Sequence, residues 1–190
     1  MNKKKSIYHK MIPTSCANTV FDIDYEMLYS KGKRYILTDV DNTLITYQEM
    51  LPSEELLQLR KKLSQIGFEV HVISNNHGKR IANFALAFEA KSYVSSAHKP
   101  LKWGFKKSLK HMGHPKKSKV IVIGDQLMTD VFGATRVGLD VILVKPLKLK
   151  TEKWYTKMNR KLEEHALRGI KKINSEAYIE IMNLKESKND

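Results

Sequence analysis

The chain of 190 residues carries 34 Lys and Arg against 20 Asp and Glu, a formal net charge of +14, with 42% apolar residues and a single cysteine, Cys16. That length supports one domain with a full core and is short for two; a lone cysteine excludes an intramolecular disulfide framework and favours a reducing compartment. The positive excess attracts polyanions, so nucleic acid, anionic lipid and phosphorylated small molecules all remain open as partners.

Lys3, Lys4 and Lys5 open the chain. The stretch from Ile7 to Phe21 is broken by His9, Lys10, Pro13, Thr14, Ser15 and Asn18, so it reads as neither a signal segment nor a spanning helix, and no transmembrane segment is expected. In Asp22-Ile23-Asp24 one of the acids caps a short helix through Tyr25 to Tyr29, which stops at Gly32. Arg34 to Asp39 is the first predicted strand. After an irregular stretch to Leu51, Pro52-Ser53-Glu54-Glu55 supplies a helix start, and Leu56, Leu59, Leu63 and Ile66 form its apolar stripe up to Gly67.

Glu69 to Ser74 reads as the second strand, followed by a helix carrying Ile81, Phe84, Ala85 and Phe88. A short third strand covers 92–94, and His98-Lys99-Pro100 opens a helix with Leu101, Phe105 and Leu109 on one side. Lys119 to Ile123 is the fourth strand, Val131, Ala134 and Val137 mark a helix, and Asp140 to Val144 is the fifth strand. Strands that are almost continuously apolar and alternate with helices predict an α/β fold: a doubly wound, Rossmann-like parallel sheet of about five strands with helices on both faces.

The first strand ends in two carboxylates, Asp39 and Asp41. If the chain leaves the strand after Asp39, both converge beyond its carboxyl end, where ligands of open α/β sheets bind. Close carboxylates repel unless a cation sits between them, which points to a hard divalent metal such as Mg²⁺. Two further strands end in polar clusters, Ser74-Asn75-Asn76-His77 and Gly124-Asp125 to Asp130, and a helix begins just past Lys99. In a parallel sheet all these ends lie along one edge. The histidines at 71, 77, 98, 111, 114 and 165 make no zinc spacing with Cys16 and read as structural or solvent-facing.

These motifs resemble the haloacid dehalogenase superfamily of phosphatases: Asp39, Asp41 and Thr43 fit its D-x-D-x-T, Ser74 its second motif, Lys99 its third, and Asp125 with Asp130 its acidic pair. The resemblance implies an aspartyl-phosphate mechanism in which Asp39 is the nucleophile and Asp41 the acid/base, with Ser74 and Lys99 completing the catalytic group. It further implies that Thr43, Ser74, Asn75 and Lys99 contact substrate, that Asp39, Asp41 (through its main-chain carbonyl) and Asp125 hold Mg²⁺, and that Asp130 orients Asp125 and a metal-bound water.

The 35 positions from Asp39 to Ser74 and the 25 from Ser74 to Lys99 are used up by the predicted elements, which leaves no room for an inserted cap. The chain is similar to the capless (subclass IIIA) YqeG-type branch, itself similar to phosphatidylglycerophosphate phosphatases. The likeness is carried by Pro13, Asp22-Ile23-Asp24, 38–44, 74–76, 99–100, 124–130 and Arg160-Lys161-Leu162-Glu163.

The expected organisation is a basic segment with a short helix at 1–33, a phosphatase domain at 34–147 and a basic helical extension at 148–190. In the extension, Trp154, Met158, Leu162 and Ala166 recur at helical spacing among Lys153, Lys157, Arg160, Lys161 and Arg168, a pattern open to either an interfacial helix or packing on the domain. Lys171 to Asp190 is charged and expected to fray, with Tyr178, Ile179 and Met182 available for another short helix.

The resemblance points to phosphatidylglycerol phosphate, an anionic phospholipid, as substrate of an enzyme in the cytoplasm, peripheral on the inner membrane face. The alternatives are a phosphatase of soluble phosphomonoesters and a non-catalytic protein bound to nucleic acid or the ribosome.

Overall fold

The computed structural model describes residues 6–147 and 154–186, the second range with side chains from residue 161 onward. Six parallel strands form one sheet: β1 (Ser15–Ala17), β2 (Tyr35–Thr38), β3 (Glu69–Ile73), β4 (Ser92–Val94), β5 (Val120–Gly124) and β6 (Asp140–Val144), in the order β1-β6-β5-β2-β3-β4. The helices are α1 (Tyr25–Ser30), α2 (Glu54–Ile66), α3 (Gly78–Ala87), α4 (Lys102–His111), α5 (Phe132–Arg136), α6 (Trp154–Ile173) and α7 (Ser175–Glu186). Among the described residues the connections between β2, β3 and β4 hold no helix or strand beyond α2 and α3, and no helix is long and apolar enough to cross a membrane.

The central strands are apolar on both sides because both sides are covered. Ile36, Val70, Val72, Ile121, Ile123 and Ile142 point toward α2 and α3, where they pack on Leu56, Leu63, Phe84 and Phe88. Leu37, Ile73, Val122 and Leu143 point the other way, onto Phe105 and Leu109 of α4, Ala134 of α5 and Ala166 and Ile170 of α6. Alternation along each strand thus feeds two cores.

β1 is the strand the pattern did not predict. Ser15-Cys16-Ala17 has no apolar run; it is held at the edge by pairing in parallel with β6, extended by Thr14, whose N–H donates to the Val141 carbonyl (2.8 Å) and whose Oγ1 accepts from the Val141 N–H (3.0 Å). The helix read through Val131, Ala134 and Val137 is shorter than expected: a π-helical turn spans Leu127–Val131, α5 follows, and Val137 lies just past its end. Leu101, expected on the apolar side of its helix, is exposed, because α4 begins one residue later with Leu101 as its N-terminal flank. The Asp22/Asp24 pair is used as read, Asp24 accepting from the Met27 N–H (2.8 Å) and Asp22 from the Thr19 N–H (2.9 Å).

In α6 the expected stripe divides: Ala166 is buried, Leu162 is about half exposed, and the side chains of Trp154 and Met158 lie outside the described residues. Ile170 takes the next inward position. Gly169 meets Tyr8 so closely that an added Cβ would lie 2.3 Å from its ring, and the Tyr8 hydroxyl is 2.8 Å from His165 Nε2. Residues near both ends of the chain therefore pack on each other across one face.

His71, 1% exposed on β3, has Nδ1 2.8 Å from Ser92 Oγ. Burial, reinforced by the positive charges of Lys91, His111 and Arg60, pushes its pKa from the ordinary 6.5 down to about 4. Because the unfolded chain takes up the proton first, the neutral ring contributes stability above pH 6.5 that is lost as pH falls toward 4. Over that window the loss is about 3 kcal/mol. Urea unfolding at pH 7 and pH 4.5 should show a smaller acid-induced loss for His71→Gln than for the native chain, and an equal loss would remove His71 as the cause.

Candidate active site

The carboxyl ends of β2, β3 and β5 and the β4–α4 loop meet at one edge of the sheet. Asp39 follows β2 directly, and its N–H extends the ladder to the Ile123 carbonyl at 2.9 Å. Its carboxylate is buried, with Oδ1 2.8 Å from Lys99 Nζ. The same ammonium lies 2.6 Å from Asp130 Oδ1. Asp39, Asp125 and Asp130 each bring a carboxylate oxygen within 4.8 Å of the others'.

Burial pushes the Asp39 carboxyl up to about 7, with Lys99 opposing the shift and Asp130 adding to it. Burial alone would lower the Lys99 ammonium, but Asp130 and Asp39 outweigh it and raise its pKa. The lysine therefore stays charged and holds the two acids together. An all-oxygen group of three clustered carboxylates, one of them disfavoured as an anion by burial, is the donor chemistry a hard divalent cation requires, so these residues fit such an ion.

Lys99 is aimed by its backbone. Its N–H donates to Asn75 Oδ1 at 2.6 Å and its carbonyl accepts from Asn75 Nδ2 at 3.0 Å. Asn75, read as a substrate contact, thus uses both ends of its amide to fix the strand-end loops of β3 and β4 to each other. Asp130 is fully buried, accepting from the Gln126 N–H at 3.1 Å and lying 3.4 Å from the Thr129 hydroxyl. Gly124 is required by this approach, since a Cβ there would come within 2.4 Å of the Asp130 carboxyl carbon. Thr43 reaches Asp125, its hydroxyl 3.4 Å from Oδ1.

Asp41 turns away from this cluster into a second one. Its Oδ1 accepts from Arg80 Nη1 at 2.6 Å, and its Oδ2 accepts from Asn76 Nδ2 at 2.8 Å and from the Ser74 hydroxyl at 3.3 Å. Ser74 Oγ also accepts from the Asn76 N–H at 3.0 Å. Arg80 and Asn76 are participants that sequence reasoning missed. Asn76 was visible as part of the Ser-Asn-Asn run, whereas Arg80 gave no signal beyond being a basic residue in the first turn of a helix. Arg80 also donates to the carbonyls of Glu49 (2.9 Å) and Thr46 (3.4 Å), so it ties the loop after Asp41 to α3.

A family model described as HAD-hydrolase-like matches residues 96–153. The chain is 30% identical over 161 residues to the Bacillus subtilis (strain 168) protein named "Probable phosphatase YqeG", a match that spans 85% of this chain and 92% of that one. The chain belongs to the haloacid dehalogenase superfamily, in its YqeG-type phosphatase branch. A crystal structure of an uncharacterized protein from Listeria monocytogenes serotype 4b shares the fold, with a TM-score of 0.52 at 20% identity over 63% of this chain and 84% of that one.

For a haloacid dehalogenase protein, Lys99 in contact with Asp39 and Asp130 joins the first, third and fourth motifs in one buried ion cluster. Replacing it by Met leaves two buried carboxylates without their common cation. At pH 8 Lys99→Met should lower the unfolding free energy by about 3–5 kcal/mol in urea titration. Unchanged stability would show that the cluster does not depend on this lysine.

Proposed function

We propose that the chain is a Mg²⁺-dependent phosphomonoesterase working through an aspartyl-phosphate, and that its substrate is phosphatidylglycerol phosphate. The observation that carries the chemistry is the convergence of Asp39, Asp125 and Asp130 at the carboxyl edge of the sheet, two of them held by Lys99. In this reading an Asp39 oxygen attacks phosphorus as the bond to the leaving alkoxide breaks, and Asp41 gives that oxygen its proton. Asp41 then removes a proton from water, whose oxygen attacks the acyl phosphate and releases inorganic phosphate with Asp39 restored.

In this reading the hydroxyls of Ser74 and Thr43, which face Asp41 and Asp125 in the structure, donate instead to phosphoryl oxygens, and the Lys99 charge offsets the negative charge that accumulates in transfer. Asp39, the Asp41 main-chain carbonyl and Asp125 would hold Mg²⁺, with Asp130 behind them. The ion supplies charge stabilisation to the transferring phosphoryl group. Arg80 orients Asp41 and, through Glu49 and Thr46, the loop beside it.

The lipid assignment is supported by the likeness to the lipid-phosphate branch, by a sheet edge with no inserted cover among the described residues, and by a formal charge of +14 that draws the chain to an anionic membrane face. Mg²⁺-dependent phosphate release from phosphatidylglycerol phosphate in mixed micelles, compared with a panel of soluble sugar phosphates, nucleotides and phosphopeptides, tests it. Preference for the lipid is expected. Preference for a soluble ester would remove the lipid while leaving the phosphatase.

Asp39→Asn should abolish turnover on every ester while the unfolding midpoint stays within a few degrees of native; residual turnover above about a hundredth would exclude Asp39 as nucleophile. Arg80→Ala should lower kcat by about 10–100-fold with KM changed less than threefold, and Arg80→Lys should recover part of the loss. A change in KM alone would place Arg80 in substrate binding instead.

A further inference from the structure

Away from the catalytic edge, β4 ends the sheet and its outer side pairs with no strand among the described residues. α3 flanks this open edge on one face of the sheet and α4 on the other, and between them runs a groove of about 600 Å³ along residues 91–95. Its two walls differ in chemistry. The α3 wall is apolar, formed by Ala82 and by Leu86, which is 81% exposed; the α4 wall carries Lys107 and His111. Tyr93 stands at the edge with 41% of its surface open, Lys91 adds a third basic side chain, and no Asp or Glu lines the groove among the described residues.

We propose that this groove binds an extended acidic peptide segment of a partner protein as an additional strand on β4, with acidic side chains at alternate positions facing α4 and apolar ones facing α3. An open strand edge presents main-chain donors and acceptors at strand spacing, which only another peptide backbone matches in sequence. Lys107 and His111, four residues apart on a helix, lie about 6 Å apart along its axis. Residues two apart on a strand are spaced by about 6.6 Å. Two acids separated by one apolar residue therefore meet the Lys107 ammonium and the His111 ring at once, and the intervening side chain falls on Leu86.

The positive field on this side of the molecule has a second sign: Lys91 and His111 are among the charges that depress the pKa of His71, one strand inward. A lipid bilayer meets the basic rim but cannot reach the strand edge at the groove's floor. Single-stranded nucleic acid could stack on Tyr93 but offers no matching ladder.

The test uses the full chain and a fluorescein-labelled nine-residue peptide of alternating Glu and Val, read by anisotropy at 150 mM salt. Lys91→Glu/Lys107→Glu should weaken binding at least tenfold. Lys116→Glu/Lys117→Glu, the same charge change on exposed residues before β5, should leave it within twofold. Leu86→Ser should weaken it severalfold, a peptide N-methylated at alternate positions should not bind, and hydrogen exchange of the amides at 92–95 should slow when the Glu/Val peptide is bound.

Circular dichroism and the unfolding midpoint establish that each variant is folded. Equal loss in the two charge-reversed variants, retained binding of the N-methylated peptide, or no binding of the Glu/Val peptide would each overturn the proposal. Anionic vesicles bound through Lys91 and Lys107, with the peptide excluded, would assign the surface to a membrane. None of these readings depends on the phosphatase chemistry.

Discussion

A buried ammonium between two buried carboxylates is the constraint on which the site depends. Lys99 Nζ lies 2.8 Å from Asp39 and 2.6 Å from Asp130, and all three side chains are nearly or fully removed from water. Charges in such a place are tolerated only when compensated, and Lys99 is the shared cation whose removal would leave both carboxylates unpaired. The set in turn demands that three chain segments far apart in sequence arrive at one point, which the parallel sheet provides by ending β2, the β4–α4 loop and β5 along one edge. Fold and chemistry are coupled here through electrostatics.

The two carboxylates of the first motif are given different surroundings. Asp39 faces Lys99 and the acids, in a setting that disfavours its charged form, whereas Asp41 accepts from Arg80, Asn76 and Ser74. Two acids two residues apart on one loop are thereby separated, one into a cluster of carboxylates around an ammonium and the other into a ring of hydrogen-bond donors. That division arises because the chain leaves the strand after Asp39 and turns at Asn42, whose φ of 62° lies in the left-handed region. Thr43 and Asp125 tie the turn back to the end of β5.

Much of this was legible in the residue pattern because apolar runs that end abruptly in Asp or Ser leave few alternatives. The runs ending at Asp39, Ser74 and Asp125 locate three strand ends, and parallel order follows from the helices between them. What escaped lacks a one-dimensional signature. Ser15-Cys16-Ala17 becomes a strand only because β6 offers a free edge, and Arg80 matters only because α3 brings its first turn over Asp41. Leu101 was misplaced by a periodicity that ran one residue past the true start of α4. Nor does any run of residues signal that the amide of Asn75 closes on the backbone of Lys99.

The pairing of β1 with β6 joins residues 15–17 to residues 142–144. Among the described residues the one strand partner of β1 is β6, so in a chain made from its amino-terminal end this pairing can close only after β2, β3 and β5 have been made. Tyr8 waits longer still, until Gly169 has left the exit tunnel. The contacts that hold residues 8–17 in place are therefore among the last that synthesis makes available.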